Sequence, residues 1–380
     1  MNKYNNFLFF FSVVVLTSCT SLDINTTIKN GDLEKVNIDV QDQNILFEDF
    51  LDKQWDEGME DSPVFASMLG IKKYNKQISS NSIDQFNINK DKSLSALNKL
   101  KSFDINLLNE SNKLNFRLAE LGMQNDIRRM KYPTYFMQLN QRGGVQSYYE
   151  TGDRLIYSSK QDYEDWLIRL ESYAVNIANS LDNNRRGLKL GYSQPKIVTN
   201  GVIAQIKAIL DSDISTNPYM KIFIDANEDF YTDEEKANLI RRATLVVEGS
   251  ILPAYQNLYN FLNDEYLPKS RDSIGIGDVP NGMEWYEDLA KYHTTTDLTP
   301  DEIHNIGLSE VKRIRLEMEQ IIKNLEWDGD FNSFLNYLRT SPRFYYDNPE
   351  DLFDAYLIMS KTIDPLLPQL FKTFPRAPYG

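Results

Sequence analysis

Thr299-Pro300-Asp301-Glu302 fixes how the residues behind it can fold. The threonine hydroxyl can accept the N3 amide hydrogen, and Glu302 can reach back to the threonine amide. Proline suits the first helical position, where its missing N–H leaves nothing unpaired. Ile303, Gly307, Val311, Ile314, Met318, Ile321 and Leu325 then recur by threes and fours. That spacing predicts one helix to about Glu326, stopped by Asp328-Gly329-Asp330. Thr232-Asp233-Glu234-Glu235 is a second capping box, followed by Ile240, Ala243, Val247, Ile251 and Tyr255 on one stripe. Asn348-Pro349-Glu350-Asp351 starts another helix, carrying Leu352, Phe353, Tyr356 and Met359.

The same period holds from Ile45 onward. Leu46, Phe47, Phe50, Leu51 and Trp55 share it, as do Leu94, Leu97 and Leu100, then Leu114, Leu118 and Leu121. Strand alternation is scarce. Lys221-Ile222-Phe223-Ile224-Asp225 is the best strand candidate and reads equally as a turn of helix. Gly143-Gly144, Asn183-Asn184 and Gly275 to Gly282 read as loops between helices. The expectation is an all-α, multi-helix chain with no solenoid repeat.

The first residues are an address rather than a fold. Lys3 gives a short positive region, and Phe7 to Leu16 form an apolar run broken only by Ser12. Leu16-Thr17-Ser18-Cys19 follows, with small residues before a cut. The match is to the bacterial lipobox, in which the cysteine takes a diacylglycerol and its amine a further acyl chain. Two or more chains anchor stably where one is marginal. The apolar run is too short for a spanning helix, which needs about 20 residues. The expected organisation is a signal peptide at 1–18, a lipidated Cys19 with a flexible tether at 19–43, and a helical domain at 44–380. The expected partner is the membrane, reached through lipid on Cys19. Thr20 rather than Asp follows the cysteine, so the address is exported and envelope-bound, at the outer membrane facing the periplasm.

Cys19 is the only cysteine, so no intrachain disulfide can form. A net charge of −14 repels phosphate backbones, and nucleic acid is not an expected partner.

The chain has two histidines, His293 and His304, eleven positions apart, and no Glu follows His293. A zinc helix of the H-E-x-x-H kind places its histidines one turn apart, so neither metal nor catalytic residues can be assigned. A carboxylate-only magnesium or calcium site stays open, without an EF-hand loop. Ser193-Gln194-Pro195-Lys196 formally reads S-x-x-K, but Pro195 opposes the helical turn that motif needs.

Two segments remain as a candidate substrate cleft. Asn140-Gln141-Arg142-Gly143-Gly144 follows an aromatic stretch; the glycines allow close backbone approach and Arg142 can grip a carboxylate in bidentate fashion. The plainer reading is a turn with an exposed arginine. Tyr292-His293-Thr294-Thr295-Thr296-Asp297 can line a polar cleft, or be a loop whose hydroxyls bond their own backbone. His304 reads as a structural contact.

Asn140 to Gly144, Leu252-Pro253-Ala254-Tyr255, Tyr292 to His304 and Pro375-Arg376-Ala377-Pro378-Tyr379-Gly380 resemble, in order, motifs of the bacterial domain-of-unknown-function family 885. The likeness runs from about Phe47 to the last residue. It implies an all-helical, gluzincin-like metallopeptidase scaffold, often exported or lipid-anchored. The family's zinc motif, a His-Glu pair followed by Pro-Gly-His-His, lies downstream of the segment matching Pro375 to Gly380. No zinc ligand or catalytic glutamate can therefore be carried over, and zinc is expected only with that downstream segment. Two functions follow: the amino-terminal part of a zinc-dependent peptidase, inactive alone, or a non-catalytic helical lipoprotein that binds peptides or protein partners.

Overall fold

A computed structural model describes residues 40–376. Cys19, the signal peptide and most of the expected tether lie outside them, as do the last four residues. The described chain is helical, with only two isolated β-bridges. It divides between Asp297 and Leu298 into two compact units, where the sequence reading gave one helical domain.

The first unit opens with α1 (Val40–Asp61), which begins three residues before the expected end of the tether. It continues through α2 (Pro63–Met68), α3 (Ile83–Leu100) and α4 (Glu110–Arg129). Side-chain caps set the starts of α3 and α4. Ser82 accepts from the Gln85 amide, and Asn109 accepts from the Asn112 amide. Phe47 and Phe50 of α1 pack with Leu100 and Phe116 in a local core. On α4 the buried face is Phe116, Ala119 and Met123, whereas Leu114 and Leu121 of the expected leucine stripe are exposed. The helix has two apolar faces, and the aromatic one wins because Phe116 meets the ring of Phe47 at 6.1 Å.

The thirty-residue α5 (Lys160–Lys189) is the centre of the main core. Its stripe of Trp166, Leu170, Tyr173 and Ile177 is buried with Val202 and Ile206 of α6 (Lys196–Leu210) and Phe223 of α7 (Lys221–Ile224). Each such side chain contributes about 1.5–3 kcal/mol on burial. The ambiguous segment at Lys221 is thus a helical turn. Pro195 caps α6 and Lys196 is its first residue, so the formal S-x-x-K is not one helical turn.

Asn183 and Asn184 are a correction. They lie inside α5, not in a loop. Asn184 Nδ2 donates to the Ser180 carbonyl one turn back at 2.8 Å, and Asn183 Nδ2 donates to the Asn81 carbonyl at 2.8 Å. Buried amides with such partners are compatible with a helix interior.

α8 (Asp233–Val246) starts on the Thr232 capping box. It runs through a π-helical segment, Val247–Ile251, into α9 (Leu252–Phe261). Pro253 lacks the amide hydrogen that a continuous α-helix would use there, and the π segment immediately before it absorbs the mismatch. α10 (Gly282–Thr294) closes this unit, with Thr295 in the left-handed region after it.

The second unit holds α11 (Pro300–Asn324), α12 (Phe331–Thr340) and α13 (Pro349–Ile363). The Thr299 capping box forms as read, and α11 ends two residues before Glu326. Trp327 joins α11 to α12 by ring contacts with Phe334 and Tyr337. Of the apolar stripe on α11, little is covered. Val311, Ile314, Met318, Ile321 and Leu325 are exposed, and Ile322 is the residue of α11 that is buried. Leu352, Phe353, Tyr356 and Met359 of α13 are exposed too.

Candidate functional site

Asn140 to Gly144 form a tight antiparallel turn. The Asn140 amide donates to the Gly143 carbonyl and the Gly143 amide returns the bond to Asn140, both at 3.1 Å. Gln141 and Arg142 are its tip. The Arg142 amide donates to Asn140 Oδ1 at 2.9 Å, which fixes the turn locally. Gly144 has φ of +139°, and a Cβ there would lie 2.5 Å from Gln146 Oε1, so glycine is required.

The turn is braced from behind. Gln146 is buried, and its Nε2 donates to the Asn140 carbonyl at 2.6 Å and to Gln205 Oε1 of α6 at 3.2 Å. Gln205 Nε2 donates to the Gln141 carbonyl at 2.9 Å. Tyr255 donates to the Val145 carbonyl at 2.6 Å and shares a 2.7 Å bond with Tyr219. Burial pushes both phenols well above their ordinary range, so they stay protonated and neutral. The result is a rigid loop whose tip presents Arg142 to solvent. Its guanidinium makes no ion pair among the described residues and is available to an anionic group.

His293 lies in the last turn of α10 and is exposed. Its ring meets Tyr292 edge-on at 4.9 Å, and Tyr292 in turn faces the Arg129 guanidinium of α4. The Thr294 hydroxyl donates to the Ala290 carbonyl at 2.8 Å, and the Thr295 hydroxyl donates to the Thr294 carbonyl at 2.7 Å. These hydroxyl bonds are local. Nearer the start of α10, the Tyr132 ring stacks on Trp285 at 5.2 Å and its hydroxyl donates to Asp288. Burial and that carboxylate push the Tyr132 phenol up to about 12.

The described contacts do not join Arg142 to His293: the first turn packs on α6, while α10 packs on α4. His304 is exposed on α11, in the other unit. Among the described residues, no three His, Cys, Asp or Glu side chains stand together to hold a metal ion.

The bracing residues escaped the sequence reading. Tyr255 is legible as part of a helical stripe and of the Leu252–Tyr255 segment but not as a brace, and Gln146 and Gln205 carry no motif.

The bracing of Asn140 to Gly144 by Tyr255 joins two of the segments that carried the resemblance. The model of a family described as "Bacterial protein of unknown function (DUF885)" matches residues 63–380. The chain belongs to this family. Among solved structures, a candidate lipoprotein from Colwellia psychrerythraea is similar to it. The two align with a TM-score of 0.73 at 19% identity, over 90% of this chain and 62% of that one. This DUF885 chain thus spans less than two thirds of the length of that relative, and the likeness is one of fold. Comparison with curated proteins found no match.

Proposed function

We propose that this DUF885 chain is the amino-terminal part of an exported, lipid-anchored protein whose complete form is a zinc-dependent peptidase. The described residues supply its helical scaffold and part of a substrate cleft, and are inactive alone. The observation that carries this reading is the uncovered apolar stripe on α11 and α13. Residues at three-four spacing are a core pattern, yet Val311, Ile314, Phe353 and Tyr356 face solvent. Further polypeptide packed on these helices would complete a core. The 62% coverage of the Colwellia structure agrees with a longer protein.

In this reading Cys19 carries the lipid, and the protein is held at the outer membrane facing the periplasm. No described helix is long and apolar enough to cross a membrane. Peptides are the candidate substrates. Arg142 offers a carboxylate contact from its braced turn, with Asn140 and Gln141 beside it; His293, Thr294 and Thr295 would form a second polar edge. The exposed apolar faces also favour a second reading, a non-catalytic helical lipoprotein that binds protein partners.

The deciding experiment extends the gene past codon 380. A continuing frame with a His-Glu pair and Pro-Gly-His-His should give a longer product that holds about one zinc and cleaves peptides in a chelator-sensitive way. A stop codon at that point, with this chain recovered intact from cells, would leave the binding reading instead. Cys19→Ala should move the protein from the membrane fraction to the soluble one, or leave the precursor uncut. Unchanged fractionation would remove the lipid anchor from the proposal.

A further inference from the structure

A cavity of about 70 Å³ lies between α2, the Lys72–Tyr74 turn and the start of α5. Ser67, Asn75, Ile156, Tyr157, Asp162 and Trp166 are on its wall. Three residues of that wall, Trp166, Tyr157 and Asn75, each carry a polar atom that is buried without a protein hydrogen-bond partner: the indole Nε1, the hydroxyl and Oδ1. Trp166 is only 2% exposed. Buried polar groups are normally satisfied, so such a group points to an occupant.

Behind Trp166, one turn along α5, Arg169 is 0% exposed. Its Nη2 donates to Ser67 Oγ at 2.7 Å and to the Tyr74 carbonyl at 2.9 Å, both neutral acceptors. Its Nε and Nη1 have no partner. Among the described residues no carboxylate pairs with it directly, although Asp165 is close enough to act on its charge. A buried guanidinium without a paired anion is costly, and its field makes the adjoining cavity favour negative charge.

Asp162 does not reverse that preference, because its carboxylate is already engaged. Lys72 Nζ reaches it at 2.8 Å, the Ser158 amide at 2.9 Å and the Ser159 hydroxyl at 3.0 Å. The remaining donors are the Trp166 N–H and the Tyr157 O–H. A half-turn of the Asn75 amide would add a third. Leu155 and Ile156 make the rest of the wall aliphatic. Two donors beside an aliphatic wall suit a flat oxyanion on a short hydrocarbon better than a tetrahedral phosphate.

We infer that this cavity binds a carboxylate carried on a short aliphatic group, gripped by the Trp166 N–H and the Tyr157 hydroxyl and balanced by the buried Arg169 charge. The site is independent of the peptidase reading. Water is the competing occupant, since the volume is several times the 10–15 Å³ or so that one water needs.

The test is an NMR titration of the full ¹⁵N-labelled chain, whose four tryptophans give four indole N–H signals. Acetate should shift one indole signal saturably, and that signal should be missing in Trp166→Phe. Tyr157→Phe should weaken binding about tenfold, as for a lost hydrogen bond to a charged group. Acetamide, of the same shape but neutral, should bind far more weakly. N-acetylglycine distinguishes the end of a peptide from a free small acid, and saturation by either acid on the same signal supports the site. The inference is overturned if no indole signal moves with acetate, or if acetamide binds as well. It is equally overturned if Tyr157→Phe leaves the affinity unchanged, a measurement that does not need Trp166→Phe to fold.

Discussion

Tyr255 of α9 donates its phenolic hydrogen to the carbonyl of Val145, 110 positions earlier in the chain, at 2.6 Å. It thereby ties the helix after the π segment Val247–Ile251 to the turn that presents Arg142. Tyr219 completes the pair by bonding the Tyr255 oxygen. Tyr255→Phe keeps the ring and removes both bonds, leaving the buried Val145 carbonyl and Tyr219 hydroxyl unpaired. We expect a loss of roughly 1–3 kcal/mol, read from the denaturant midpoint. Amide exchange at 140–145 should also quicken. A variant as stable and as protected as the wild type would show that the turn does not depend on this bond.

Two helical glycines should answer oppositely to alanine. At Gly122 in α4 a Cβ meets nothing within 4 Å, so Gly122→Ala should stabilise by roughly 0.5–1 kcal/mol through helix propensity. At Gly187 in α5 a Cβ would lie 2.7 Å from Phe136 Cβ and 3.0 Å from its carbonyl oxygen. Overpacking there outweighs propensity, and Gly187→Ala should destabilise by about 1–3 kcal/mol. Thermal melts of the pair decide it; shifts of the same sign would refute the argument.

Which parts of this fold were legible follows from the range of the forces. The Thr232 and Thr299 capping boxes were readable because donor and acceptor are three residues apart. Pro195 ruled out an S-x-x-K helix for a similarly local reason. Asn183 was misread as a loop because its satisfying partner, Asn81, is 102 positions away. On α4 the pattern offered two apolar faces, and only the rings of α1 decide between them. The Arg142 turn was visible in its glycines, but the Gln146, Gln205 and Tyr255 brace was not. Those partners meet only after α6 and α9 have packed.

Glu235 should titrate far below an ordinary glutamate. Its hydrogen bond from Lys160, then that from the Thr232 amide, lower its pKa to about 2. A depressed folded pKa gives stability that is present above the ordinary value of 4.5 and is lost as pH falls through about 2. In a carboxyl NMR titration Glu235 should still be ionised near pH 3.5, where an unperturbed glutamate is mostly protonated. Lys160→Met should move its midpoint back up. A midpoint near 4.5 in the wild type would mean that the capping box and the lysine contact are not held in solution.

The second unit should behave as an adhesive surface. Val311 is 68% exposed on α11, and Phe353 and Tyr356 are each 63% exposed on α13. Exposed apolar side chains at helical spacing are rare on a monomer in water, and where they gather they drive association. The purified chain should bind a hydrophobic dye and self-associate as its concentration rises. Phe353→Ser combined with Tyr356→Ser should reduce both, with little change in far-ultraviolet circular dichroism, because neither side chain is buried. The cap on α13, Asn348 accepting from the Asp351 amide, is untouched by these changes, so the helix itself should persist. A wild-type chain that stays monomeric and binds no dye would show that these faces are covered within the monomer. The same outcome would remove the observation on which the longer-protein reading rests, whereas association relieved by the downstream segment would place that segment on α11 and α13.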